Sequence, residues 1–247
     1  MKIVSFSGGK DSTALAILEA DAMPVFADTG WEFDEIYQHI DRFEKVTGRE
    51  VLRLKSKDLY GESLPESIKR KRFMPGFKAR WCTRMHKIEV IETWLMDKVP
   101  VEMLIGLRAD EEERKGHIVC LDGLTVRYPL KERGMKYQDV VDLCNKYDLL
   151  PEYPPYMARG GCEGCFYKSK NEVLALRELK PVVYDELMDL EESVQDERKK
   201  FAVMFPNLGM SLRKFKQQPV LFDLKQVYED AKDTSQKAPA CGAFCHR

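Results

Sequence analysis

Short apolar runs rich in β-branched residues alternate with amphipathic stretches through the first half of the chain. Lys2–Phe6 predicts a strand, Asp11–Ala20 a helix, Pro24–Ala27 a second strand, Phe33–Thr47 a helix and Val51–Leu54 a third strand. In Phe33–Thr47 the apolar positions Phe33, Ile36, Tyr37, Ile40 and Phe43 recur at helical spacing, so one face turns toward a core. A helix over about Arg84–Lys98 and a buried strand over Val101–Leu107 follow. Strands separated by helices of this length predict an α/β core, a parallel twisted sheet with helices on both faces. After Tyr153 the pattern breaks at Pro154-Pro155 and Arg159-Gly160-Gly161. The remainder reads helical over Asn171–Leu179, Pro181–Phe205 and Phe215–Ala231, and ends in Cys241-Gly242-Ala243-Phe244-Cys245-His246-Arg247. The expected division is an α/β unit over 1–155 and a smaller, mainly helical, cysteine-bearing unit over 156–247.

A length of 247 residues suffices for a sizeable interior, and 44% hydrophobic residues exclude a disordered or low-complexity chain. No apolar run reaches membrane-spanning length, and the opening turns to glycine before a signal-peptide core forms. The expectation is a cytoplasmic protein without membrane contact. With 40 Lys+Arg against 41 Asp+Glu, the net charge of −1 argues against a general polyanion binder but leaves room for a local basic face. Seven cysteines without a signal suggest a metal or redox site over a disulfide framework.

Ser5-Phe6-Ser7-Gly8-Gly9-Lys10-Asp11-Ser12 joins the first strand to the first helix. Two glycines admit an anion close to the backbone, and a helix N-terminus offers N–H groups and a favourable dipole. The Ser7 and Ser12 hydroxyls add donors and Lys10 a point charge. Asp11 beside phosphate is repulsive unless a divalent cation intervenes, which makes it a candidate Mg²⁺ contact. The string is not the Walker pattern. Asp28-Thr29-Gly30 falls where the second strand ends, and Gly106-Leu107-Arg108 where a later one ends; ligands of open α/β sheets bind at such ends. Arg108 is suited to grip phosphate oxygens, or else to pair with Asp110, Glu111 or Glu112.

Ser7-Gly8-Gly9-Lys10-Asp11-Ser12 resembles the PP-loop of the ATP pyrophosphatases, the adenine-nucleotide α-hydrolase group. The segments 26–33, 78–87, 106–111 and 159–165 resemble the phosphoadenosine phosphosulfate (PAPS) reductase branch of that superfamily. The resemblance implies a Rossmann-like PP-loop fold, with ATP or a related adenine nucleotide held by Ser7, Gly8, Gly9, Lys10, Asp11, Ser12, Asp28, Thr29, Gly106 and Arg108. It also implies cleavage of ATP between the α and β phosphates to adenylate an acceptor. Lys10 and Arg108 would then stabilise charge on pyrophosphate, and Asp11 would hold Mg²⁺. The branch's true reductases carry a degraded loop, whereas Lys10 and Asp11 are both present here, which favours ATP cleavage.

Between Lys69 and Lys87 lie eight cations, Lys69, Arg70, Lys71, Arg72, Lys78, Arg80, Arg84 and Lys87, without one acid. Phe73, Phe77 and Trp81 are interleaved. Such a segment suits a polyphosphate or a nucleic-acid acceptor, or a loop over the nucleotide with its aromatics packed inward.

Among the cysteines, Cys162-Glu163-Gly164-Cys165 is a Cys-x₂-Cys pair, Cys241 and Cys245 a Cys-x₃-Cys pair, and Cys82 stands apart. Cys162, Cys165, Cys241 and Cys245 would close a Cys₄ Zn²⁺ site. Cys82, Cys162 and Cys165 with one tail cysteine would instead hold a 4Fe–4S cluster. The resemblance to iron–sulfur adenylyl sulfate reductases favours the cluster. Cys241-Gly242 is also similar to the catalytic cysteine of PAPS reductases, although Ala240 replaces their glutamate. Cys120 and Cys144 lie in apolar settings and read as buried thiols.

Three functions are compatible with these residues. The first is an ATP pyrophosphatase that passes sulfur to its adenylated acceptor. The second is a reductase of a (phospho)adenylyl sulfate with Cys241 as nucleophile. The third is a silent nucleotide- and metal-binding subunit of a modification complex. The first also anticipates a sulfur-donor protein, and a homodimer is compatible with all three.

Overall fold

The computed structural model describes residues 1–111, 121–195, 203–219 and 222–237. In its first part β1 (Lys2–Ser5), α1 (Lys10–Leu18), β2 (Met23–Asp28), α2 (Asp34–Thr47) and β3 (Leu52–Lys55) alternate as the hydrophobic pattern predicts. Then come α3 (Ser56–Tyr60), α4 (Leu64–Lys71), α5 (Trp81–Thr83), a π-helical stretch over Arg84–Glu89, α6 (Val90–Leu95) and β4 (Val101–Leu104). β5 (Leu124–Arg127), α7 (Pro129–Glu132) and α8 (Tyr137–Lys146) complete the α/β portion. α9 (Lys170–Leu179), α10 (Pro181–Ser193), a 3₁₀ turn at Pro206–Leu208, α11 (Leu212–Gln217) and α12 (Leu224–Lys237) follow.

The five strands pair in parallel in the order β3-β2-β1-β4-β5. Alternation along each strand sends side chains to opposite faces. Val4, Phe6, Phe26 and Leu104 join one apolar cluster, whereas Ile3, Val25, Ala27, Met103 and Ile105 join another with Ile88, Ile91 and Leu95. Both faces are therefore covered by helices, as the α/β reading requires. The first cluster also takes in Val173, Tyr184, Phe215 and Val227 from the helices beyond residue 155, so one core supports both parts of the chain.

Several local details differ from the expected pattern. The helix expected over Arg84–Lys98 starts at Trp81 and runs through a π-helical segment, a geometry that hydrophobic periodicity does not encode. The single helix expected over Phe215–Ala231 is two, because Gln218 is extended and Pro219 brings no N–H to continue a helix. α10 ends at Ser193, short of the expected Phe205, and residues 196–202 of that expected span lie outside the described ones. β4 stops at Leu104, freeing Gly106-Leu107-Arg108 as a loop. β5, four residues on the sheet edge, and α4, whose last turn enters the basic segment, are additional to the expected elements. A capping box starts α4: Glu66 accepts from the Ser63 backbone N–H at 2.6 Å.

Two histidines are interior. His39 Nε2 lies 2.8 Å from Thr13 Oγ1, and His86 Nδ1 lies 2.9 Å from Ser56 Oγ. Burial pushes both pKa values down from 6.5 to about 4. The unfolded chain therefore binds more protons than the folded one between those values. Stability is fully present above pH 6.5 and falls as pH drops toward 4, each histidine contributing a loss of about 1.4 kcal/mol for every pH unit crossed in that window. Urea unfolding across this range is expected to show the decline, and His39→Gln to flatten it; an unchanged slope in the variant would disprove the assignment.

Candidate nucleotide and cysteine sites

The strand order reverses direction between β1 and β4, and the loops that follow these two strands meet there. This is the position where open α/β sheets hold ligands. After β1 the chain turns through Gly8 at φ +70°, where a Cβ would also sit 3.0 Å from Ile36 Cγ2, so glycine suits both backbone and space. Ser12 organises the turn: its hydroxyl accepts from Ser7 N at 3.1 Å and donates to Gly9 O at 2.9 Å. The Tyr153 hydroxyl donates to Gly8 O at 2.9 Å, and burial raises its pKa, keeping it protonated as a donor. Cys144 is buried behind α1, its thiol 3.5 Å from Lys10 O and pushed up by burial to about 12.

Arg108 arrives from the loop after β4 and closes on the loop after β1. Its Nη1 donates to both Asp11 carboxylate oxygens at 3.0 and 3.1 Å, and its Nε donates to Asp110 Oδ1 at 2.8 Å. Its Nη2 lies 3.9 Å from Glu111 Oε1. Asp11 is 1% exposed and Arg108 2%. Burial opposes the guanidinium charge, yet Asp11, Glu111 and Asp110 outweigh it and hold the arginine above its usual value. Of the two roles foreseen for Arg108, the ion pairs with Asp110 and Glu111 are seen, and Asp11 is added to them. Gly106 lies directly behind the loop, its Cα facing the Asp11–Ser12 peptide.

Lys10 is the other cation of the loop, and burial lowers its pKa against the opposing pull of Asp11. Its Nζ lies 5.1 Å from the centroid of the Tyr137 ring, and Arg108 Cζ lies 5.5 Å from the same centroid. One aromatic face thus borders both cations. Tyr137 was not foreseen from sequence, because its contacts join α8 to residues more than one hundred positions earlier and to Arg108.

Asp28 ends β2 and Thr29 follows it. Asp28 Oδ1 accepts from Gly30 N and from the Tyr37 hydroxyl, both at 2.8 Å. Thr29 Oγ1 donates to Glu32 at 2.9 Å. Glu32 is buried, which raises its pKa, while Lys87 at 3.5 Å opposes the rise. The residues on either side of Glu32 are stitched to the cysteine segment, with Glu163 N donating to Trp31 O at 2.9 Å and Phe33 N to Gly161 O at 3.4 Å. Cys162 Sγ lies 3.7 Å from Glu32 Oε1.

Two cavities result. One is lined by Ser7, Gly9, Lys10, Asp11, Glu32, Lys87 and Arg159 among others. The second brings Cys82, Cys162 and Cys165 together among Trp31, Leu64, Pro75, Arg80, Lys87 and Phe166. Lys87 borders both. A Cβ on Gly164 would stand 2.0 Å from Trp31 Cη2, so the Cys-x₂-Cys turn is built around the indole. No group of three or more His, Cys, Asp or Glu among the described residues is arranged around a single metal ion. Cys82, Cys162 and Cys165 on one largely apolar cavity supply the thiolate donors that an iron–sulfur cluster takes. Cys241 and Cys245, expected as ligands, and Cys120 lie outside the described residues.

The basic segment is not uncompensated in space. Arg70 is paired with Glu62 at 2.7 Å, Arg84 with Glu89 at 2.9 Å and Lys87 with Glu32. Arg72 donates to Gln195 O at 2.8 Å, and Lys71 lies over the Trp81 ring. The acids come from outside residues 69–87, which is why local sequence did not show them.

Two consequences are measurable. Arg108→Met leaves Asp11 buried without its partner and is expected to cost about 3–5 kcal/mol in chemical denaturation, with Asp11→Asn/Arg108→Met recovering most of it. Absence of recovery would mean that the pair is not the source of the loss. Gly164→Ala is expected to cost about 1–3 kcal/mol and to shift the tryptophan emission as Trp31 is displaced.

Residues 2–122 match the family model of the phosphoadenosine phosphosulfate reductase domain. Curated relatives include two uncharacterised proteins of Methanocaldococcus jannaschii, MJ0066 and MJ0973. The first is 32% identical over 116 residues, covering 44% of this chain and 23% of that protein. The second is 27% identical over 199 residues, covering 75% and 46%. The chain thus spans less than half the length of these relatives. Among solved structures, a phosphoadenylyl-sulfate reductase from Candida auris in complex with phosphate aligns with TM-score 0.42 and 16% identity, over 60% of this chain and 72% of that one. The U34-tRNA thiolase NcsA from Methanococcus maripaludis, with its 4Fe–4S cluster, aligns with TM-score 0.46 and 15% identity, over 82% and 74%. Residues 2–122, which carry the glycine loop, Asp28-Thr29-Gly30, Cys82 and Arg108, are thus similar to a phosphoadenosine phosphosulfate reductase domain.

Proposed function

We propose that the protein is an ATP pyrophosphatase that adenylates an acceptor for sulfur transfer. The observation that carries this reading is the joint presence of Lys10 and Asp11 on the loop, with Arg108 beside them at the reversal point of the sheet. The cleft lined by Ser7, Gly9, Lys10 and Asp11 opens at that reversal point, and the N-terminus of the nine-residue α1 suits a phosphate.

In this reading the ATP triphosphate lies on Ser7–Ser12, and Asp28 and Thr29 border the same crevice. An acceptor oxygen attacks the α-phosphorus; the bond from that phosphorus to the bridging oxygen of the β-phosphate breaks, and pyrophosphate leaves. Lys10 and Arg108 offset the charge that gathers on the leaving oxygens. Asp11 is shared between Arg108 and the Mg²⁺ that accompanies the nucleotide. A sulfur nucleophile then takes the activated position, the carbon–oxygen bond breaks and AMP departs with the oxygen. Cys82, Cys162 and Cys165, with Cys241 or Cys245, would hold a 4Fe–4S cluster, which supplies a site where sulfur is bound and delivered. Zn²⁺ on Cys162, Cys165, Cys241 and Cys245 is the alternative. A nucleic acid reached through residues 69–87 is the proposed acceptor, and the sulfur comes from a donor protein.

Pyrophosphate release from Mg-ATP in the presence of acceptor is expected in the native protein and is expected to fall at least about 100-fold in Lys10→Ala. Sulfite release from an adenylyl sulfate without ATP cleavage would overturn the proposal in favour of a reductase using Cys241. Anaerobically purified protein is expected to absorb near about 400 nm, and Cys162→Ser to lose the band; a colourless, zinc-containing preparation would contradict the cluster.

A further inference from the structure

The turn at the outer rim of the cysteine cavity is built to display two side chains. Gly76 and Ala79 exchange backbone hydrogen bonds at 3.2 and 3.1 Å, which closes a two-residue tip made of Phe77 and Lys78. Phe77 is 47% exposed although it is a large aromatic, and Lys78 is exposed with it. The inner side of Phe77 rests edge-on against Phe166 and Tyr167, with centroids 5.5 and 5.2 Å away. Tyr167 is itself bordered by two arginines, Arg159 Cζ at 5.0 Å and Arg80 Cζ at 5.6 Å from its centroid. Arg159 lines the nucleotide cavity, whereas Arg80 and Tyr167 line the cysteine cavity. The platform therefore stands where the two cavities approach each other. Arg80 Nε is buried and meets no hydrogen-bond partner among the described residues.

From this geometry we infer that Phe77 and Tyr167, with Lys78, Arg80 and Arg159, form a stacking platform for an unpaired base of a single-stranded nucleic acid. The platform rests on the proposed adenylation of a nucleic-acid acceptor and specifies the form in which that acceptor is held. An exposed aromatic face accepts any base, and neighbouring cations track the phosphates; a duplex, whose bases are stacked on one another, offers the cations its backbone but gives Phe77 no face. Most of the cations in 69–87 are engaged by acids or by the fold, so the aromatic face, and not charge alone, sets the preference. A base held at this rim is next to both the nucleotide cavity and the cysteines.

The test is fluorescence anisotropy of labelled single-stranded RNA and DNA of about 12 nucleotides, the matched duplexes and inorganic polyphosphate, at fixed salt, with the intact protein. Single strands are expected to bind at least about 10-fold more tightly than duplex or polyphosphate. Phe77→Ala is expected to lose about 10-fold or more, within the span that alanine replacement of one stacking aromatic produces. Phe77→Trp is expected to retain binding, and Lys78→Glu to lower it and flatten its salt dependence. Equal binding of duplex or polyphosphate, or full binding by Phe77→Ala, would overturn the platform. Mg-ATP titration by calorimetry on the same samples separates the platform from the function beneath it. Intact ATP binding without single-strand preference refutes the platform alone, whereas loss of ATP binding in the native protein refutes the function on which it rests. A folded Phe77→Ala, shown by an unchanged far-ultraviolet spectrum, is the condition for reading that variant, and Phe77→Trp supplies the reading if it does not fold.

Discussion

The buried pair between Asp11 and Arg108 is the contact on which the architecture of the site depends. β1 and β4 are neighbours in the sheet although nearly a hundred residues separate them in the chain, and the loops leaving them would otherwise be independent. With both partners almost fully removed from water, either charge alone would be costly, so each loop conformation is tolerable only in the presence of the other. The pair thereby fixes Lys10 at the start of α1, brings Arg108 over Tyr137 and shapes the wall of the glycine-loop cavity. Asp110 and Glu111 share the guanidinium, so the arginine is held by several acids.

A second dependence joins the glycine-loop cavity to the cysteines. Glu32 is tied to Thr29 on one side and contacts Cys162 and Lys87 on the other. A carboxylate held away from water needs these partners, and they come from three separate segments of the chain. Trp31 then fills the space that the absent side chain of Gly164 leaves, so the Cys-x₂-Cys turn and the end of β2 fit only as a unit. Two chemically different compartments are in this way built against one wall, with Lys87 bordering both.

Charge in this protein is arranged by the fold more than by composition. The run from residue 69 to 87 is wholly basic, yet Glu62, Glu89 and Glu32 reach it from outside and pair with three of its members. What distinguishes its surface is then the exposed tip at Phe77 and Lys78, held by a tight turn and supported from behind by aromatic rings.

The sequence by itself determined the alternation of strands and helices and the glycine loop between β1 and α1. Both are local properties: side-chain periodicity and backbone freedom at Gly8. The presence of Lys10, Asp11, Asp28, Thr29, Arg108, Cys82, Cys162 and Cys165 was equally plain, because their residue types carry the chemistry. Only the tertiary structure decided how they are partnered. It set Arg108 on Asp11, Lys10 and Arg108 beside Tyr137, and Glu32 between Thr29 and Cys162. It also divided the run from Phe215 to Ala231 at Pro219 and put π-helical turns after Cys82. Pairings between residues a hundred positions apart depend on strand order and on the balance of burial against charge, and neither leaves a trace in the neighbouring sequence.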